Sequence, residues 1–227
     1  IYTPTHTLSL HDALPIYQLA VFFAAISIVR LFDRMAPRNI AKYAFTLVSV
    51  GMILLAIVMN NEWTTLMVIL GLVLVGLGQG SLVTLLFNVL VTASPKELAA
   101  DVGALRGTVN NLAAGVGTAL AGALVVGILS LNIQRAIVDN PAMPEALIQQ
   151  VNLDEVTFVS NDRLETVMAG TTATPPQVAE AVQINAAARL RALKLSFFTL
   201  AAISLLMIVP SRGLPRYVPS EVPEDTV

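Results

Sequence analysis

Along the chain, long uncharged windows alternate with short segments that hold the charges and most of the prolines. Residues 17–29 are apolar, and 17 uncharged positions separate Asp12 from Arg30. A helix needs about 20 apolar residues to cross a bilayer, so this first window just reaches. Residues 43–61 are uncharged between Lys42 and Glu62. Residues 64–93 lie in a 33-residue window without charge, from Trp63 to Pro95. That length spans with tilt or extends into an interface. Residues 103–130 come next, with no charge between Arg106 and Arg135. The last window, Leu195–Val209, has 15 apolar residues before Pro210. Ala192, Leu193 and a snorkelling Lys194 extend it toward a crossing over 192–210. The windows are continuously apolar, without the ten-residue alternation of a membrane barrel. The pattern predicts an all-α, polytopic membrane helix bundle of five spans.

The fourth window has a finer pattern. Gly103, Gly107, Asn111, Gly115, Ala119, Ala123 and Gly127 recur every four residues, and all but Asn111 are small. On a helix such a stripe drifts about 40° per step, giving a slowly winding groove. In water, helical glycines cost about 1 kcal/mol each, which argues against a soluble helix. In lipid, a bare backbone groove suits close helix packing, so we expect this helix to hold the bundle together. The third window contains a second small-residue pair, Gly76 and Gly80.

Polar residues inside these windows are the candidate functional positions. Gln79, Thr84 and Asn88 lie in the third, and Asn110 and Asn111 in the fourth. Their side chains should face other helices or a water-filled cavity, lining a pathway or bracing the packing. Arg106 has three readings: it snorkels to the surface, pairs with Asp101, or projects into a substrate route.

The connecting segments set an expected topology. Arg30, Arg34, Arg38 and Lys42 flank the first loop against one acid, Asp33, and a short loop this basic belongs on the cytoplasmic side. The patch lacks interleaved aromatics, so nucleic acid is not an expected partner. Asn60 to Trp63 makes an outer turn with Trp63 as interfacial anchor. Ser94, Pro95 and Glu97 carry a helix-capping pattern for the fourth helix. Residues 131–191 carry seven acids and four bases and read as an extracytoplasmic loop. Short helices are expected over 145–151 and 160–168, with Ser160 as cap. Thr174 to Gln177 should open a third helix, from Pro175 through the RLRALK stretch. Residues 211–227 read as a disordered cytoplasmic tail.

Composition narrows the class. Hydrophobic residues make up 56% of the 227 and charged residues 12%, about half the charge of an ordinary soluble domain. Mean hydropathy is +0.75. There is no cysteine and the net charge is -2, so a disulfide framework and a thiolate metal site are both excluded. A membrane enzyme would need clustered His, Asp, Glu or Cys at a membrane edge, and the sequence offers none. No metal or cofactor is expected. Residues 1–16 differ in texture from the rest of the chain. Thr7 to Ile16 resembles a translated sequencing-adapter tract, so a non-native leader is expected there, the alternative being a native loop.

Three features together resemble the C-terminal part of a major facilitator superfamily transporter, from Tyr17 to Pro215. The first loop, with Asp33, Arg34 and Arg38, is similar to the superfamily's G-x-x-x-D-R-x-G-R-[RK] loop. It departs at Val29 and Ala36, where that motif has glycines, and at Asn39, where it has its last base. The run GLGQGSLVTLLFNVL, a PKE loop and GALRGTVNNLAAGVGTALAGAL resemble consecutive late helices of the fourteen-helix drug/proton antiporters. A long outer segment before one final helix, with NDRL early and INAAARLRALKLSF late, is similar to the same subgroup. The resemblance implies a partial major-facilitator fold whose five spans are the tenth to fourteenth. It implies an inner gate at Asp33, Arg34 and Arg38, and proton-coupled export of drugs or other amphiphiles from a bacterial inner membrane. The implied partners are the lipid bilayer, a missing N-terminal half, protons and a small-molecule substrate. The competing reading is a membrane structural or assembly subunit whose 131–191 segment binds a partner.

Overall fold

The computed structural model describes residues 10–60, 66–138, 161–216 and 218. Trp63, residues 145–151 and Ser160 lie outside them. All regular structure among the described residues is helical. The helices are α1 (Leu10–Phe32), α2 (Pro37–Val58), α3 (Leu66–Thr92), α4 (Ala99–Val138), α5 (Asn161–Ala169) and α6 (Pro175–Leu206). Short 3-10 turns cover Lys96–Leu98 and Pro210–Gly213. Five stretches are long and apolar enough to cross a membrane: Leu14–Phe32, Pro37–Val58, Leu66–Thr92, Ala100–Asn132 and Pro175–Gly213. The fold is an all-α polytopic membrane bundle.

The chain divides into two compact units, residues 1–115 with 197–227, and residues 116–196. In the first unit α3 packs against both α1 and α2. Glycine makes this possible on two sides of α3. A Cβ at Gly80 would lie 2.5 Å from the Val21 carbonyl oxygen on α1, and one at Gly78 would lie 2.7 Å from the Ala44 carbonyl oxygen on α2. Both clashes are with backbone, so only a residue without a side chain lets the helices come this close. Two apolar clusters fill the seams. Ile28, Phe32, Ile40, Ala41 and Leu85 gather near the α1–α2 loop, and Leu55, Val68 and Val75 gather between α2 and α3.

The same unit joins α2 to the end of α6 through two serine hydroxyls. Ser49 donates to the Ala201 carbonyl at 3.1 Å, and Ser204 donates to the Phe45 carbonyl at 3.0 Å. All but Phe45 are buried, and the two bonds run in opposite directions between antiparallel segments.

In the second unit α5 seats Leu164 and Met168 against Val178, Ala181, Val182 and Ile184 of α6. Asn185 donates to Asn161 Oδ1 at 2.8 Å beside that cluster. At the Thr174 start of α6, Gln177 Oε1 accepts from the Thr174 backbone N–H at 2.9 Å and from its hydroxyl at 3.0 Å. The glutamine reaches back as a capping box requires, but the threonine hydroxyl donates to it rather than accepting from the helix.

Several expectations are corrected. α6 is one helix of 32 residues, with no break between the polar part and the last span. No Gly or Pro occurs from Gln177 to Val209, so nothing interrupts the ladder. Ser94 does not cap α4. Its hydroxyl donates to the Leu90 carbonyl at 2.8 Å and finishes α3, and α4 begins after a 3-10 turn closed by Leu98 N–H to Pro95 O at 3.0 Å. The tail is ordered through its first residues: Pro210–Gly213 form a turn, and Leu214 packs against the cluster around Ile28 and Phe32. The expected close contacts of α4 are not made among the described residues. Nothing lies within 4 Å of a Cβ built at Gly103, Gly107, Gly115 or Gly127, and Ala119 and Ala123 are exposed. The close seams belong to α3 instead, because its glycines face helices that run alongside it. α1 begins at Leu10, inside the stretch 1–16.

Candidate functional site

The first candidate region is the loop between α1 and α2. It is four residues long, Asp33 to Ala36, and turns on two bonds to the Leu31 carbonyl, from Arg34 N–H at 3.0 Å and Met35 N–H at 2.9 Å. Pro37 then sits in the first turn of α2, where its fixed φ suits a helix start and its missing N–H leaves no orphan donor. The next N–H, on Arg38, donates to the Pro215 carbonyl at 3.3 Å. A tail carbonyl thus serves one of the donors that a helix start leaves open. Asp33 and Arg34 are exposed and Arg38 is half-buried. The loop and residues 214–215 therefore occupy the same end of the α1–α2–α3 group. That tail contact was missed from sequence; Leu214, apolar just before Pro215 in a polar tail, was its one signal.

The second region is the α1–α3 seam. Gln79 accepts a hydrogen bond at Oε1 from the Tyr17 hydroxyl. Gln79 is exposed at the edge of this seam, and Tyr17 is half-buried. The bond leaves the glutamine amide nitrogen with its two N–H donors.

The third region joins α3 to the start of α4. The Arg106 guanidinium carbon stands 4.2 Å from the centre of the Phe87 ring. This is cation–π distance, and a half-buried arginine held there has its charge covered on one face by the ring. The partner is one that none of the three expectations for Arg106 named. Asn88, next to Phe87, is half-buried, and its backbone carbonyl accepts from the Thr92 hydroxyl at 2.8 Å. Asn110 and Asn111 are exposed on α4. Gln79 and Arg106 each gain a partner side chain, Tyr17 for the first and Phe87 for the second.

Among the described residues, no group of three or more His, Cys, Asp or Glu is placed to hold a metal ion. What the arrangement offers is uncharged hydrogen-bonding groups and one shielded cation along apolar helices. A family model for the Major Facilitator Superfamily matches residues 2–133, more than half of the chain. The chain belongs to the major facilitator superfamily. No curated protein and no solved structure matches it. The match takes in α1, α2, α3 and α4 as far as residue 133, which is one residue beyond the apolar stretch of α4. α5 and α6 lie outside it. As a major facilitator protein, the chain is a multi-pass membrane protein of a transporter family and not an enzyme.

Proposed function

We propose that this chain is the C-terminal part of a proton-coupled exporter of drugs or other small amphiphilic molecules, of the fourteen-helix type. The observation that carries the proposal is the family match over α1 to α4, together with five membrane-length helices. The loop and run motifs described from the sequence support the subgroup. In this reading the second half of a two-bundle carrier rocks against a first half around a central site, giving alternating access. Gln79, Asn88, Asn110 and Asn111 line or brace the pathway, and their lack of charge suits amphiphilic cargo. The exposed stripe of α4 meets lipid or helices of the other half. Asp33, Arg34 and Arg38 act at the inner gate, on the cytoplasmic side of a bacterial inner membrane, with the tail beside them. The docking of Leu214 and Pro215 at the start of α2 supports a tail on the loop's side.

The test is recovery of the full reading frame and assay of the whole protein in vesicles with an imposed proton gradient. Gradient-dependent efflux of amphiphilic dyes, abolished by collapsing the gradient, supports the proposal. Efflux that persists without a proton gradient, or a reading frame lacking the preceding helices, overturns it.

A further inference from the structure

A cleft of about 280 Å³ opens between α4 and α6 in the second unit, lined by Asn132, Ile184, Ala187, Ala188 and Arg191. It sits where apolar helix gives way to polar. The membrane-length stretch of α4 ends at Asn132, and on α6 Arg189, Arg191 and Lys194 precede the uncharged run 195–206. Its floor is aliphatic, from Ile184 and the two alanines. Both of its polar side chains can donate: the Arg191 guanidinium, and the Asn132 amide, one N–H of which is held by the Ile128 carbonyl at 2.8 Å while its Oδ1 remains an acceptor. On α4 and α6 bases predominate beside the cleft, although Glu180 lies one turn before Ile184 and α5, which packs against Ile184, carries Asp162 and Glu165. α4 carries no acid from Val102 to Val138 and α6 none from Ala181 to Leu206, whereas Arg135, Arg189, Arg191 and Lys194 are all basic.

We propose that this cleft binds the phosphate of an anionic lipid headgroup. Arg191 takes the phosphate oxygens through its planar fork, which matches phosphate better than a point charge does. Asn132 donates its second N–H, and the first carbons of the lipid lie over Ala187, Ala188 and Ile184. The volume lies just below the usual range for ligand sites, about 300–1,000 Å³, so it suits a headgroup rather than a whole amphiphilic cargo molecule. The proposal is independent of what the protein transports.

The test uses the full chain in detergent micelles, titrated with phosphatidylglycerol, phosphatidylcholine and soluble glycerol phosphate, with bound ligand read by native mass spectrometry. Wild type should prefer phosphatidylglycerol over both others. Arg191→Gln should weaken that lipid by about tenfold, the loss of one charge-assisted pair. Ala187→Phe, which fills the cleft without removing charge, should weaken it as well. Arg212→Gln, at the start of the tail, should leave it unchanged. Equal binding of soluble glycerol phosphate would overturn the lipid assignment. Unchanged affinity in Arg191→Gln and Ala187→Phe, or an equal loss in Arg212→Gln, would overturn the site.

Discussion

The Tyr17 hydroxyl donates to Gln79 Oε1 across the α1–α3 seam, one turn from where the Tyr17 carbonyl itself lies 2.8 Å from a Cβ position at Gly76. The glycine and the hydrogen bond depend on each other. Close backbones bring the phenol within reach of the amide, and the bond fixes the register in which the glycine faces a carbonyl. Interhelical hydrogen bonds in membranes contribute about 0.6 kcal/mol on average and up to about 1.7. Tyr17→Phe and Gln79→Leu should each destabilise the protein within that range, and the double variant should cost little more than either. Unfolding in mixed detergent–SDS micelles measures this. Strictly additive costs would show that the two side chains do not meet.

The glycines of α3 and α4 should respond in opposite ways to one added methyl group. At Gly80 an alanine meets the Val21 carbonyl oxygen at 2.5 Å and its Cα at 2.9 Å, so the helices must part. Overpacking of this kind costs about 1–3 kcal/mol. At Gly107 nothing is within 4 Å, and alanine's better helix propensity is worth up to about 1 kcal/mol. Gly80→Ala should therefore lower the SDS fraction at half-unfolding, and Gly107→Ala should leave it unchanged or raise it. A larger loss at Gly107 than at Gly80 would mean that α4, not α3, carries the close seam of the isolated chain.

That contrast marks how far the sequence could be read. The fold class was legible because charge is excluded from five windows, and a bilayer admits an uncharged span only as a helix or a closed barrel. Spacing of small residues could not tell the two kinds of helix apart. Gly76 and Gly80 look like Gly103 and Gly107 in sequence, yet the first pair faces α1 and the second faces nothing in the described chain. What differs is the neighbour, and no single helix encodes its neighbour. For the same reason Gln79 and Arg106 were visible as polar residues in or beside apolar windows, while Tyr17 and Phe87 were not visible as their partners. Ser49 and Ser204 could have been flagged by the same reasoning that flagged Gln79. The unity of α6 was also readable, from the absence of any Gly or Pro between Pro176 and Pro210.

The serine pair should hold α6 to α2. Each hydroxyl serves a carbonyl that already accepts within its own helix, so removal leaves no unpaired acceptor. Ser49→Ala and Ser204→Ala should each cost about 0.6 kcal/mol, and the double variant about the sum. Stability in SDS titration tests this. A double variant as stable as wild type would mean that the bonds contribute nothing.

The Arg106–Phe87 contact should discriminate among ring replacements. Phe87→Trp keeps or strengthens a cation–π contact, whereas Phe87→Leu keeps bulk and loses the quadrupole, at about 0.5–2 kcal/mol. In an Arg106→Gln background the Trp and Leu variants should be equivalent. A persistent difference there would assign the effect to packing alone.

In the topology we propose, the Asp33–Ala36 loop and the docked tail share one membrane face, and the 131–191 segment, which includes residues 161–174, lies on the other. Three spans, α2, α3 and α4, separate the loop from the latter segment. The chain has no cysteine, so single cysteines report cleanly. Asn39→Cys, Arg212→Cys and Thr171→Cys should be expressed and probed in intact cells and in inverted vesicles with an impermeant maleimide. Labelling of 39 and 212 only in inverted vesicles, and of 171 only in intact cells, is the expected result. Labelling of 171 from the same side as 39 would contradict it.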